Sequence, residues 1–473
     1  MSSSTQDERW GARLWGALTV LCAVVFLDAL DVSMVGVALP SIQADLGMTT
    51  SSLQWVVSGY VLGYGGLLLL GGRTADLLGR RRVFLAALAV FAVASLLGGL
   101  MTDGTLLIAA RFVKGISAAF TAPAALSIIT TTFAEGPARN RALSIFTACG
   151  ASGFSLGLVL SGVLTEIGWR WTFLMPVPVA IIALIAGARL LDRGERGEGG
   201  HDILGAVMIT AAMLLLVFAV VEAPKVSVVR TVLSLAGVAV LFGLFVWLEN
   251  RVRHPLVRLG ILRSAPLVRA NIGLIILFGS YVGFQFVAMQ YFQNLLGWSA
   301  LQTALAFLPA GLLVAVSSTK MGGLADRFGT ARLIVAGSVA LLAGYAVFFQ
   351  VDEHPSLATM VIPGMVLLGV AFGLSFPSLN IQATAGVHDE EQGLASGLLN
   401  TSGQVGGAVV LAIVTAVLTS GTGADPIVRF RSAIVVSAAF ALLGLIVALT
   451  GLRFRSNAAS AAEEAEERVL EAA

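Results

Sequence analysis

Gly72-Arg73-Thr74-Ala75-Asp76-Leu77-Leu78-Gly79-Arg80-Arg81-Arg82 and Gly322-Gly323-Leu324-Ala325-Asp326-Arg327-Phe328-Gly329 are two copies of one short pattern, set far apart in the chain. Gly72 and Gly79, and Gly322 and Gly329, permit a tight turn and close helix approach. An acid flanked by arginines can pair locally and favour a helix N-terminus. Each copy sits between two long apolar blocks, so the pattern reads as a turn at a membrane surface. Its residues Gly72, Asp76, Gly79, Arg80, Arg81, Asp326 and Arg327 are candidates for a conformational latch.

Outward from these turns the chain is almost all apolar blocks. Of 473 residues, 57% are hydrophobic and only 12% charged, about half the charged share of a soluble globular chain. A helix crossing a hydrocarbon core of about 30 Å needs roughly 20 mostly apolar residues. Fourteen such blocks are read, at about 14–39, 53–72, 83–101, 105–132, 141–164, 170–190, 203–221, 229–248, 267–292, 302–319, 332–351, 357–384, 393–419 and 430–450. The expected organisation is a short N-terminus (1–13), a six-helix bundle (14–190), a connector with an inserted transmembrane hairpin (191–266), a second six-helix bundle (267–450) and a tail (451–473). The tail, rich in glutamate and alanine, reads as frayed or as a short solvated helix. The first block runs through two aspartates without a cleavage pattern and is read as a retained helix.

Short basic loops resist translocation. With both termini inside, 22 of the 29 basic residues fall on the cytoplasmic side, and only Arg170, Lys225, Arg230, Arg429 and Arg431 fall outside. One helix more or fewer would invert every later loop, so an even count with cytoplasmic termini is expected in a cell (inner) membrane. The net charge of +2 gives no global excess that would draw nucleic acid.

The doubled loop resembles the signature of the major facilitator superfamily, and the resemblance covers essentially the whole chain. It implies an all-α membrane protein with two six-helix bundles that rock to expose a central cavity alternately. Fourteen spans, with Leu30-Asp31-Val32-Ser33-Met34-Val35-Gly36-Val37-Ala38-Leu39-Pro40 and Trp169-Arg170-Trp171-Thr172-Phe173, resemble the fourteen-helix drug/proton antiporter branch. That branch implies multidrug efflux and antibiotic resistance. Two positions depart from it: Gly36 stands where the family has Asn, and Gly157-Leu158 stands where the antiporter motif has Gly-Pro. Gly153, Gly157 and Gly162 still allow the fifth helix to pack closely, but no proline-associated kink is encoded.

Two charges, Arg111 and Lys114, lie within the fourth block, and Asp28 and Asp31 within the first. Each costs about 2.5 to 3.5 kcal/mol in mid-membrane on insertion scales, so each needs a reason. Both pairs are spaced i, i+3 and share a helix face. An antiparallel register pairs Asp31 with Arg111 and Asp28 with Lys114. Neutralising Asp31 would then release Arg111 and couple proton entry to conformation; the plain alternative is a structural pair that stays ionised. The resemblance supports the first reading through Arg111, although Lys114 replaces the family's usual glutamine.

An aromatic and amide surface suits a large, partly apolar ligand. Tyr281, Phe284, Gln285 and Phe292 on the ninth block are the leading substrate-contacting candidates, with Asn380 on the twelfth and Asn400 and Gln404 on the thirteenth. Such amides also join neighbouring helices by hydrogen bonds. The four histidines are scattered over loops with no metal-ligand spacing, and no phosphate-cradling GxxxxGK[ST] loop is present. An enzyme is the reading least supported. No cofactor is expected, and an ion gradient, of protons, remains as the energy source. The expected protein is a monomeric secondary active exporter of hydrophobic or amphiphilic molecules. Its rivals are a dedicated exporter of one endogenous metabolite or lipid, and a nontransporting membrane receptor.

Overall fold

The computed structural model describes residues 10–134, 137–192, 203–222, 226–252, 259–385, 387, 392–419 and 425–471. Fifteen α-helices form among them: α1 Ala12–Leu46, α2 Thr50–Leu78, α3 Arg80–Leu100, α4 Gly104–Thr132, α5 Pro137–Ile167, α6 Trp171–Leu174, α7 Pro176–Leu190, α8 Ile203–Glu222, α9 Val228–Glu249, α10 Ala265–Gln290, α11 Ala300–Phe328, α12 Thr330–Phe348, α13 Ile362–Thr384, α14 Gln392–Thr419 and α15 Pro426–Glu471. Every one of the fourteen apolar blocks is helical. Twelve helical stretches among the described residues are long and apolar enough to cross a membrane, and α8 adds a shorter apolar run, Val207–Val220. The protein is multi-pass. Large apolar side chains such as Ile182 and Leu233, each 67% exposed, face outward as lipid-facing residues must.

The helix ends follow local chemistry. Asp103 caps α4 by accepting from the backbone N–H of Thr105 at 2.9 Å and Leu106 at 3.0 Å. Thr49 caps α2 through Ser52 N–H at 3.1 Å. Both satisfy donors that a helix start leaves unpaired. The two copies of the repeated turn adopt matching geometry: Gly79 (φ 98°) joins α2 directly to α3, and Gly329 (φ 78°) joins α11 to α12. A side chain is strained at such angles, which accounts for glycine at both.

Three boundaries differ from the sequence reading. The first helix does not stop at Pro40 but runs through it to Leu46, because the stop signal is Gly47, left-handed at φ 62°. In the sixth block Pro176, which has no N–H to give, interrupts the hydrogen-bond ladder between α6 and α7, while Met175 keeps helical angles (φ −61°, ψ −38°) and Trp171–Leu190 remains one helical stretch. The tail is not a separate segment, since α15 continues through it to Glu471.

The chain divides into two compact units, residues 1–258 with 288–311, and residues 259–287 with 312–473. Residues 288–311 therefore group with the first unit, across the bundle boundary read at 266. In the first unit α1 packs along α5, α2 along α4, α3 on α4, and α7 on α1 and α3. The hairpin α8–α9 attaches through α2, where the Thr210 hydroxyl donates to Gly66 O at 2.8 Å. In the second unit α12 packs on α13 and α15, and α14 on α13 and α15.

Small residues set these contacts. A Cβ on Gly115 of α4 would lie 2.1 Å from Tyr60 O, and one on Gly157 of α5 would lie 2.1 Å from Ser33 Oγ and 2.8 Å from Leu30 O. An added Cβ would lie 2.5 Å from Phe26 O at Gly153 and 2.8 Å from the Ala304 Cβ at Gly162. The glycines expected to pack α5 thus lie at backbone-to-backbone contacts, and α5 runs unbroken without the proline kink. Gly115→Val must push two backbones apart and should cost about 1 to 3 kcal/mol or more. Loss of the monodisperse peak in size-exclusion chromatography is the expected outcome. Gly243→Val, where nothing lies within 4 Å of an added Cβ, should leave the peak unchanged. Gly79→Val should lower the thermal midpoint through backbone strain of about 1 to 3 kcal/mol, measured by differential scanning fluorimetry in detergent.

Candidate functional site

The buried charges meet inside the first unit. Arg111 Nη1 bonds Asp31 Oδ2, and Lys114 Nζ bonds Asp31 Oδ1. Asp31 and Lys114 are fully buried and Arg111 is 2% exposed. The pair expected between Asp31 and Arg111 is present in this geometry. The second expected pair is not: Lys114 turns to Asp31, and Asp28 Oδ2 instead accepts from the Thr121 hydroxyl at 3.1 Å. The reason is side-chain reach. Cα depths alone pair Asp28 with Lys114, but the stems of arginine and lysine span more than the about 4.5 Å between residues three apart on a helix. Both cations therefore reach one carboxylate.

The rest of the shell was not legible from spacing. Arg111 Nε donates to Val56 O at 3.0 Å, and its guanidinium lies 4.5 Å from the Tyr60 ring centre. Lys114 Nζ lies 4.8 Å from the Phe91 ring and 5.2 Å from that of Phe173. Aromatic faces attract cations, and more strongly where water is excluded. Phe173 lies in the Trp-Arg-Trp-Thr-Phe stretch already singled out, but Tyr60 and Phe91 sit in apolar runs where nothing marks them. Thr121, ten residues after Arg111, is one hydroxyl among many.

The four charges sum to zero when all are ionised, with Asp31 shared by two cations and Asp28 beside them. The two acids differ in access. Asp31 is closed off, whereas Asp28 is only half-buried and holds a neutral partner. Neutralising Asp31 would strand two buried cations without a contacting anion; neutralising Asp28 would strand none that it contacts.

A second polar cluster closes one end of the same bundle. Asp45 Oδ2 accepts from Trp169 Nε1 at 2.9 Å and from Arg170 Nη1 at 2.6 Å, and Arg170 stacks over the Trp169 ring at 4.5 Å. Trp169 and Arg170 were part of the sequence pattern; their acid partner was not identified from it.

The expected substrate-contacting residues fall into different settings. Tyr281 lies 5.1 Å from Phe372, ring to ring. Phe284 is 1% exposed and wedged between Tyr345 and Phe348. Phe292 is fully buried, stacked on Trp298 at 4.7 Å. Asn380 Nδ2 donates to Phe376 O at 2.8 Å and Asn400 Nδ2 to Ser396 O at 2.9 Å, each along its own helix. Gln285 and Gln404 are half-buried. Of this set, Tyr281, Phe284 and Phe292 are buried against neighbouring rings in the present conformation.

In the repeated turn, Arg80 Nη1 donates to Ser127 O at 3.4 Å and Arg81 Nη2 to Ala188 O at 2.5 Å, tying the turn to α4 and α7. Gly72 lies against Pro123, and Arg327 over Phe328 at 5.2 Å. The side chains of Asp76 and Asp326 lie outside the described residues, as do Lys225, His201, His254 and His388.

Comparison with known proteins fits this arrangement. The profile of the Major Facilitator Superfamily matches residues 21–411. The chain is 38% identical to the puromycin resistance protein pur8 of Streptomyces alboniger, over 87% of this chain and 83% of that one. It is likewise 38% identical to the cephamycin export protein CmcT of Amycolatopsis lactamdurans, over 87% and 86%. The multidrug resistance protein Stp of Mycobacterium tuberculosis is 31% identical over 84% and 74%. Among solved structures, the POT family transporter PepTSo superposes with a TM-score of 0.71 at 17% identity, over 92% of this chain and 97% of that one. On these grounds the chain belongs to the Major Facilitator Superfamily.

Proposed function

We propose that the protein is a secondary active exporter of hydrophobic or amphiphilic small molecules, driven by proton antiport through alternating access. The relatives that carry the export reading are named for antibiotic resistance or export. The observation that carries the proton reading is the buried set Asp28, Asp31, Arg111 and Lys114. Asp31 positions the two cations, and Asp28, half-buried beside them, carries the exchangeable proton. The sequence reading put the proton on Asp31; the doubly paired geometry favours Asp28. Protonating Asp28 leaves a net positive cluster, which alters the balance of charge that α1 and α4 share in low dielectric.

Gln285 and Gln404, both half-buried, are the residues retained as substrate contacts, with Asn380 and Asn400 able to exchange their intrahelical bonds for a ligand. The protein works as a monomer in the cell (inner) membrane, and the distribution of arginine and lysine supports cytoplasmic termini. Gly79, Arg80 and Arg81, with Asp76 and the second copy at Asp326 and Arg327, act as the cytoplasmic latch.

The names of several relatives each cite one antibiotic, which favours a second reading, an exporter with narrow specificity. Flux of puromycin, cephamycin, lincomycin and tetracenomycin C, measured separately in proteoliposomes, separates the two. Transport of several supports broad efflux, and transport of one supports a dedicated exporter.

In the same vesicles, Asp28→Asn is expected to abolish flux driven by a pH gradient while substrate still equilibrates down its own gradient. Undiminished gradient-driven accumulation by Asp28→Asn rules out its role. Asp31→Asn should lower stability by about 3 to 5 kcal/mol, because it breaks a buried ion pair by removing one partner. The double variant Asp31→Asn with Lys114→Met should recover part of that loss. Equal thermal midpoints for wild type and Asp31→Asn would show that the carboxylate is not the structural anchor.

A further inference from the structure

The chain has two cysteines, Cys22 and Cys149, far apart in sequence and carried by two helices that pack along each other, α1 and α5. The seam between those helices keeps one register. An added Cβ on Gly153 would lie 2.5 Å from Phe26 O, one on Gly157 would lie 2.8 Å from Leu30 O, and the Ser161 hydroxyl donates to Met34 O at 2.6 Å. Each of these pairs stands four residues beyond the one before on both helices, so the pairs share one face. Continued one turn back from Phe26 and Gly153, the same register sets Cys22 opposite Cys149. The side chains agree: the two thiols interact across the seam, and Cys149 packs against the apolar cluster that contains Cys22.

Close approach is what a disulfide needs, since it joins Cα atoms about 4.4 to 6.8 Å apart. Here the glycines let backbone meet backbone: an added Cβ on Gly153 would stand 3.0 Å from Phe26 Cα, and one on Gly157 3.0 Å from Leu30 Cα. The cysteines sit one turn from the first of these contacts. Both are free thiols, Cys22 buried at 7% exposure and Cys149 half-buried. Glutathione keeps cytosolic thiols reduced, but it is a charged peptide and is excluded from the apolar layer that these helices cross. Hydrogen peroxide is small and uncharged and enters it. Asp28 lies about 9 Å along α1 from Cys22, so a bond at Cys22 acts on the helix that carries both acids of the charged site.

We propose that Cys22 and Cys149 are a peroxide-sensitive pair whose disulfide staples α1 to α5 and arrests transport. The Cys149 sulfur, the more open of the two, attacks hydrogen peroxide; the O–O bond breaks, a sulfenic acid forms and water leaves. The Cys22 sulfur then attacks the sulfenic sulfur, so that the S–S bond forms and the hydroxyl departs as a second water. The thiols lose two electrons and the peroxide gains them, and both thiol protons end in the two waters. The effect on transport rests on the proton exchange proposed for α1; formation of the bond does not.

The test treats the full-length protein in proteoliposomes with hydrogen peroxide, then denatures it in N-ethylmaleimide and weighs it intact by mass spectrometry. The expected product has lost two hydrogens and takes up no maleimide, and after dithiothreitol it takes up two. Uptake of two maleimides after peroxide, a product that has gained oxygen, or chains joined to one another on a non-reducing gel overturns the pairing. In the same vesicles, gradient-driven flux should be largely lost on oxidation, return with dithiothreitol, and withstand peroxide in Cys149→Ala. Full flux through the disulfide-bonded protein, or equal loss of flux in Cys149→Ala, overturns the control of transport. Absence of gradient-driven flux in the untreated protein counts against the proton reading alone, and the mass change still decides the pair.

Discussion

One carboxylate holding two cations inside a bundle of apolar helices is the constraint on which this structure depends. Placing Arg111 and Lys114 among hydrocarbon costs several kcal/mol each without a counter-charge. Asp31 offsets that cost for both, and Val56 O, the Tyr60 ring and the faces of Phe91 and Phe173 complete the shell. α1 and α4 are thereby fixed to one another in depth and rotation. α2, α3 and α6 are tied in as well, because α2 supplies the carbonyl and the Tyr60 ring, α3 supplies Phe91 and α6 supplies Phe173. A charge change at Asp28 acts on an arrangement that reaches five helices of the first unit.

The glycine contacts make that arrangement tight enough to respond. Gly115 lets α4 approach α2 at the level of Tyr60, beside Arg111, and Gly157 lets α5 approach α1 at Ser33, beside Asp31. The charges sit where backbones already touch, so a small change in their positions has no free space in which to be absorbed. Packed interiors of this density respond to local change by discrete rearrangement, as a transporter that alternates between two accessible states requires.

Much of this was legible in the sequence because membrane folds are written in coarse signals. Block length gave the helices. The doubled turn at residues 72–82 and 322–329 gave the internal repeat, which reappears as two glycines with positive φ at equivalent joints. The i, i+3 spacing of Asp28 with Asp31 and of Arg111 with Lys114 placed the charges on facing surfaces. Spacing failed at the level of side chains. It put Lys114 on Asp28 because it tracked Cα depth and not the reach of a lysine, and it gave no sign that Tyr281, Phe284 and Phe292 pack against neighbouring rings. Residues such as Tyr60, Phe91 and Thr121 were invisible, since an aromatic or hydroxyl in an apolar run looks the same whether it faces lipid, core or ion.

The central claim is that an exchangeable proton resides on Asp28 while Asp31 stays committed to Arg111 and Lys114. The most direct measurement is substrate-triggered proton release from the purified protein in weakly buffered detergent, followed with a pH indicator dye. The account predicts release by the wild type and none by a folded Asp28→Asn variant at the same substrate occupancy. Release of equal size from both proteins would contradict it.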